Sequence, residues 1–330
     1  MPLLLERQDL PDHLVRAALA DLVAGSFDET EATALLIALR LKGESASEIA
    51  TAVEVLRASM IRLEPPARPV LDTCGTGGDG TGTFNISTVA ALVVAGTATP
   101  VVKHGNRSVS SRCGSADVLV ALGVPVESGP KWAQRSLETH GFAFCFAPHF
   151  HPALAKVGPL RRKLGVRTIL NLLGPLLNPA SAEHQLLGVG RRDLLDPMAG
   201  AIARLGTRQA YLVSGEDGLD EVSLSGPTFV RHVRDGRFES FEWTPTDFGL
   251  GTVSVCDLTC DGPAASAAIA RRILAGEDGP CRQIVLANAA AALVAAERVA
   301  SLPDGVQQSA RSIDSGAAAR VLECLRRPAE

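Results

Sequence analysis

Aromatic residues are scarce in this chain: Phe, Trp and Tyr make up 4% of its 330 residues, with a single Tyr among them. Apolar residues nonetheless reach 46%, so a core must be built from Ala, Val, Leu and Ile, which suits helices packed on a parallel sheet. No stretch approaches the roughly 18 uninterrupted apolar residues of a membrane span, and Met1-Pro-Leu-Leu-Leu-Glu6 is too short and too acidic for a signal peptide. Neither sign of charge dominates. With 32 basic and 36 acidic residues the net charge is −4, which excludes a general pull toward nucleic acid or anionic membrane. The seven cysteines are scattered and odd in number, and read as reduced thiols rather than a disulfide frame. Cys256 and Cys260 lack a following Cys or His pair at zinc spacing, and His149 and His151 lack a nearby third ligand, so both pairs read as structural or substrate-lining. These absences describe a cytoplasmic protein of about two domains, whose anion site must be a local cluster.

The first residues carry helical grammar. Asp28 with Glu31, and Ser45 with Glu48, have the spacing of N-terminal capping boxes, and Ala32, Leu35, Leu36 and Leu39 recur at helical spacing before a stop at Gly43. Pro65-Pro66-Ala-Arg-Pro69 breaks the pattern. Residues 1–66 are therefore expected to form a small all-helical domain, joined in space by the basic, helical stretch 151–178. Residues 67–150 and 179–330 alternate short apolar strands with helices, which predicts a larger α/β domain with a central, mostly parallel sheet. Strands are expected at 70–74, 100–103, 142–146, 186–189, 210–213 and 229–233.

The first strand runs into Gly75-Thr-Gly-Gly-Asp79-Gly-Thr-Gly-Thr-Phe-Asn85-Ile-Ser87-Thr88, which opens a helix. Glycines let a backbone approach an anion and turn successive amides toward it, and a helix start adds unpaired amides and partial positive charge. No lysine occurs in the loop, which excludes a Walker A motif. A dinucleotide fold expects an acidic residue about 20 positions on, whereas the second strand ends in Lys103-His-Gly-Asn-Arg107. Ser108 to Asp117 adds hydroxyls, Arg112 and a second helix start, where Ser115 either caps the helix or holds an anion. Together these elements suffice for two phosphate groups on one ligand.

Downstream, Ser214-Gly-Glu-Asp-Gly-Leu-Asp220-Glu221 follows a strand. It is either an ordinary acidic turn or a site where a hard divalent ion bridges carboxylates to substrate phosphates; within it Asp220 and Glu221 are favoured over Asp217. The segment Lys156 to Arg167 carries five basic side chains in twelve residues. One guanidinium among them could hold a carboxylate of a second substrate bidentately, and spacing does not select which.

Taken together, Arg40-Leu-Lys-Gly-Glu44, Gly75-Thr-Gly-Gly-Asp79, Asn85-Ile-Ser-Thr88, Lys103-His-Gly-Asn-Arg107, Gly114-Ser-Ala-Asp117, Asn171-Leu-Leu-Gly-Pro175, Asp217-Gly-Leu-Asp-Glu221, Asp247-Phe-Gly-Leu250 and Asn288 to Leu293 resemble the anthranilate phosphoribosyltransferases of tryptophan biosynthesis, nearly end to end. The resemblance implies transfer of a ribosyl phosphate from phosphoribosyl pyrophosphate (PRPP) to the amine of anthranilate, with no covalent protein nucleophile. By motif matching it places PRPP on Gly75, Gly78, Asp79, Thr83, Asn85, Ile86, Ser87, Thr88, Lys103, His104, Gly105, Asn106, Arg107, Ser110, Ser111 and Ser115. It places two magnesium ions per subunit on Ser87 and on Asp220 with Glu221, and anthranilate on Gly75, Asn106 and Arg161. It further implies a hinged homodimer that contacts through its helical parts, and leaves open an association with anthranilate synthase. The chain departs from the family pattern at Val120 (for Glu), Leu170 (for Phe), Ser214 (for His) and near Ser266 (for Asn). A pyrimidine nucleoside phosphorylase of similar fold, a paralogue with another aromatic acceptor, and a non-enzymatic binding protein are the competing readings.

Overall fold

The computed structural model describes residues 1–108 and 113–326. Among the described residues seven strands form one sheet, β1 (Leu71–Gly75), β2 (Val101–Gly105), β3 (Phe142–Phe146), β4 (His184–Gly188), β5 (Gln209–Gly215), β6 (Thr228–Arg234) and β7 (Arg237–Trp243), in the order β3-β2-β1-β4-β5-β6-β7. The first five run parallel, while β6 and β7 are antiparallel additions at one edge. The sheet is thus mostly parallel. Strand β7 escaped the sequence reading because most of its side chains are exposed, and Phe238, Phe241 and Trp243 do not keep the two-residue alternation of a half-buried strand. Its turn was legible: Asp235 and Gly236 both have positive φ, at 50° and 73°, the backbone of the type I′ turn that Asp-Gly favours between strands.

Successive side chains of the central strands face opposite sides, and two buried clusters follow. Leu71, Leu186 and Val213 pack with the helices Ile86–Ala95 and Pro280–Ala295. Cys74, Leu187 and Leu212 pack with the helices of the amino-terminal part and with Ile169, Leu170 and Leu173. The amino-terminal helices are α1 (Pro2–Leu5), α2 (Asp12–Ala24), α3 (Glu29–Lys42) and α4 (Ala46–Ala58). Both expected capping boxes are formed: the Glu31 amide donates to Asp28 at 2.8 Å and the Ser45 amide to Glu48 at 2.9 Å. The buried Glu48 carboxylate also accepts from Lys42 Nζ at 2.8 Å and from the Leu10 amide at 2.9 Å, so one charge ties three segments together. The stretch 151–178 lies against these helices, with Lys156 donating to the Ala24 carbonyl and Lys163 paired with Glu29 at 2.7 Å.

Two helices begin at the carboxyl ends of the strands, α5 (Ile86–Ala95) after β1 and α6 (Ser115–Ala121) after β2. Gly114, not Ser115, is the N-cap of α6; Asp117 accepts from the amides of Gly114 and Ser108, each at 2.9 Å. Ser115 is the first helical residue, which leaves its hydroxyl free of capping duty.

Candidate active site

The loop from β1 to α5 is shaped by two outside contacts. From one side Arg167 donates Nη2–H to the Thr76 carbonyl at 2.7 Å and Nη1–H to the Gly77 carbonyl at 2.6 Å. From the other, the Gly77 amide donates to Asp220 Oδ2 at 2.7 Å. Gly78 sits at φ +73°, and a Cβ there would lie 1.6 Å from Arg167 Nη1, so only glycine fits. Asp79 is turned back on the loop, accepting from the Thr81 hydroxyl at 2.6 Å. Thr83 bridges to Thr259, and the Asn85 amide donates to Ser266 Oγ at 3.1 Å. Ser266, in a stretch that departs from the family pattern, therefore supports the loop.

The turn after β5 carries the two carboxylates across the strand ends. Gly188 at the end of β4 permits this, since a Cβ there would lie 1.5 Å from the Asp220 carbonyl oxygen. Asp217 is occupied in holding the turn together, accepting from the hydroxyls of Ser223 and Ser225 and from the Leu219 amide. Asn288, buried in the helix behind, exchanges hydrogen bonds with both backbone groups of Val222, at 2.9 and 3.0 Å. Asp220 and Glu221 are thereby delivered to the start of α5. There the Ser87 amide donates to Glu221 Oε1 at 3.0 Å, so an acid from elsewhere, rather than a local cap, satisfies the helix end. Burial pushes both carboxyls well above their usual range; Asp79 adds to this for Asp220, and Asp220 does so for Glu221. Three carboxyls, Asp79, Asp220 and Glu221, are thus crowded together, with the ionised forms of Asp220 and Glu221 disfavoured, an arrangement that a hard cation would relieve. Among the described residues no group of three His, Cys, Asp or Glu is arranged to hold a metal by itself.

Lys103, on β2, is almost fully buried and donates to the Thr73 carbonyl at 2.5 Å and to Ser87 Oγ at 3.3 Å. Burial lowers its pKa, while Asp72 beside it works in the opposite sense. Asp72 itself is pushed up to about 6 by burial and has one oxygen without a partner. Next in line, His104 Nδ1 faces the Gly174 carbonyl at 3.1 Å and its Nε2 faces His151 Nε2 at 3.1 Å. Burial holds the two rings neutral, with pKa values of about 3 and about 4. Gly105 lets the strand end approach Ser115 and Phe144, whose atoms lie 2.1 and 2.9 Å from where a Cβ would stand. Asn106 accepts from the Arg107 amide at 2.8 Å. The Arg107 guanidinium is paired with Asp117 at 3.1 Å and Glu127 at 2.5 Å, so its charge is balanced locally at the surface, whereas Lys103 is buried among Asp72, Asp220 and Glu221. Ser110, Ser111 and Arg112 lie outside the described residues.

Of the basic segment, Lys156 and Lys163 are tied to α2 and α3. Arg161, in the helix Gly158–Leu164, is half-buried, and burial with the nearby Arg167 lowers its pKa. Its guanidinium has no hydrogen-bond partner among the described residues, which suits it to an incoming anion. Arg167, Gly188 and Asp72 were not singled out from the sequence; the spacing of basic residues held Arg167 as one of five equals. Of the departures, Leu170 and Ser214 are buried in the packing, whereas Val120 is exposed.

The chain matches known proteins over nearly its whole length. The family model "Glycosyl transferase family, a/b domain" covers residues 67–319, and "Glycosyl transferase family, helical bundle domain" covers 3–60. The anthranilate phosphoribosyltransferase of Desulfitobacterium hafniense (strain Y51) is 48% identical over 326 residues, 99% of this chain and 97% of that protein. The crystal structure of the Thermus thermophilus enzyme of that name superposes with a TM-score of 0.91 at 42% identity, covering 99% of both chains. The Saccharomyces cerevisiae enzyme, solved in complex with PRPP and Mg, gives a TM-score of 0.89 at 30% identity over 96% of this chain and 92% of that one. The chain belongs to the anthranilate phosphoribosyltransferase family.

Proposed function

We propose that this protein transfers the 5-phosphoribosyl group of PRPP to the amine of anthranilate, releasing pyrophosphate, with magnesium required. The observation that carries the reading is the meeting of the glycine loop with Asp220 and Glu221 at the start of α5. It sets a glycine-rich backbone and a helix start, which suit phosphates, against carboxylates that suit a hard cation.

The pyrophosphate of the donor would lie on the loop amides and the α5 start, with Ser115 and the β2 end taking the 5-phosphate. Magnesium, on Ser87 and on Asp220 with Glu221, two ions per subunit, would neutralise charge on the departing pyrophosphate. Lys103 adds a fixed positive charge beneath Ser87 and keeps that hydroxyl oriented. Arg161 would pair with the anthranilate carboxylate, and Gly75 and Asn106 would flank the ring, so that the amine faces the anomeric carbon. As the glycosidic bond lengthens the sugar gains oxocarbenium character, and the amine lone pair closes the new bond. No side chain acts as a covalent nucleophile. Residues 1–66 with 151–178 would close as one body over the remainder, excluding water as a rival acceptor. Leu5 and Leu41, each 75% exposed on α1 and α3, supply apolar surface for a homodimer through the helical part.

The direct test mixes the protein with PRPP, magnesium and anthranilate and follows anthranilate fluorescence. The reading expects a magnesium-dependent loss of signal. Intact fluorescence, with PRPP consumed only when another aromatic amine is supplied, would overturn the acceptor assignment.

A further inference from the structure

Arg167 joins two parts of the site that are far apart in sequence. Its planar fork spans consecutive carbonyls, Thr76 and Gly77, 91 and 90 residues away in the chain. A trans peptide points its N–H opposite to its C=O. Fixing the Thr76 carbonyl therefore sends the Gly77 amide to the far face of the loop, where it meets Asp220. Fixing the Gly77 carbonyl turns the Gly78 amide away from the guanidinium in the same manner. We propose that Arg167 is a positioning residue for the donor: it locks the amide directions of the glycine loop, and so presets the cradle for the pyrophosphate.

Three further observations belong to this arrangement. The guanidinium fills the place of a Gly78 side chain, so the loop sequence and the arginine are matched to each other. Asp79 and Asp220 both act electrostatically on Arg167, which places a fixed cation beside the acidic cluster. Arg161 lies six positions upstream, across the left-handed turn at Gly165, so the same short segment that would meet the acceptor also holds the donor loop. A lysine could not substitute, because an ammonium is a point donor without the fork that reaches two carbonyls at once.

The inference rests on the PRPP reading and is tested separately from it. Wild type, R167A and R167K are compared by calorimetry with PRPP and magnesium, and by steady-state kinetics. R167A is expected to weaken donor binding by about tenfold or more, the low end for losing two charge-assisted hydrogen bonds. R167K should fall between, and the anthranilate KM should stay within about twofold, since Arg161 is untouched. Methylguanidinium should restore part of donor binding to R167A and none to R167K. Donor binding by R167A within twofold of wild type would overturn the inference alone. So would a uniform loss of donor binding, anthranilate use and thermal stability with no rescue, which marks a merely structural arginine. Wild type that binds no PRPP with magnesium would remove the functional reading and this inference with it.

Discussion

The amide of Gly77 donates to the carboxylate of Asp220 at 2.7 Å, closing a contact between residues 143 apart in sequence. One oxygen of the acid turn is thereby spent on the loop, and Glu221 is committed similarly to the Ser87 amide at 3.0 Å. Their remaining lone pairs are what a divalent ion would use. The two carboxylates therefore shape the loop as well as offering metal ligands, and their removal acts through both routes.

Replacing both Asp220 and Glu221 by Ala is expected to lower turnover by on the order of 100-fold or more. The dependence on magnesium concentration should flatten in the same variant. Initial rates across a magnesium titration check both; near-normal turnover with unchanged metal dependence would count against the metal role.

Gly188→Ala is expected to be far more damaging than its size suggests. The added methyl would lie 1.5 Å from the Asp220 carbonyl oxygen, and backbone rather than a flexible side chain must yield. A destabilisation of about 1–3 kcal/mol is the usual cost of such overpacking. Urea unfolding would measure it, alongside a loss of magnesium-dependent activity larger than the fraction of protein unfolded.

Arg161→Ala should raise the anthranilate KM by about tenfold or more, the scale of a lost carboxylate pairing. PRPP affinity by calorimetry should remain close to wild type. An equal loss of donor affinity would show that Arg161 serves the donor instead.

The His104–His151 pair makes a prediction about acid. Their folded pKa values, about 3 and about 4, lie below the roughly 6.5 of an unfolded histidine. Between these values the unfolded chain binds protons that the folded chain refuses, so each ring favours unfolding as pH falls from about 6.5 toward 4. At pH 5 the effect is about 2 kcal/mol per ring. Asp72, pushed up to about 6, works in the opposite sense, so the contribution is read as a difference. From pH 7.5 to 5, wild type should lose about 2 kcal/mol more stability than His151→Asn in chemical denaturation. Parallel pH profiles for the two proteins would contradict the neutral buried pair.

What could be read from the sequence was whatever is local. The glycine loop, the β2 end with Lys103 and the acid turn each lie within a few consecutive residues, and strand-to-helix grammar placed them at one end of a sheet. In the acid turn, Asp217 is spent on Ser223 and Ser225, while Asp220 and Glu221 reach the glycine loop and the start of α5. The illegible parts depend on contacts between distant segments. Arg167 stood among five basic residues, and nothing nearby distinguishes the one that reaches Thr76 and Gly77. Gly188 matters only because another turn crosses it, and Ser266 only because it accepts from the Asn85 amide. The pairing of Arg107 with Glu127, twenty residues on, and with Asp117 is likewise a contact that local sequence does not announce. Strand β7 was hidden by its exposure, although the Asp235-Gly236 turn before it was in plain view.

The proposal that a donor with a pyrophosphate is held between the glycine loop and the acid turn through magnesium has one most direct test. PRPP is titrated calorimetrically into the protein, with and without magnesium, and again with Asp220 and Glu221 both replaced by Ala. The expected result is tight binding by wild type only when magnesium is present, and binding by the variant that is weak and indifferent to the metal. Equal PRPP affinity in all four titrations, or none in any, would contradict it.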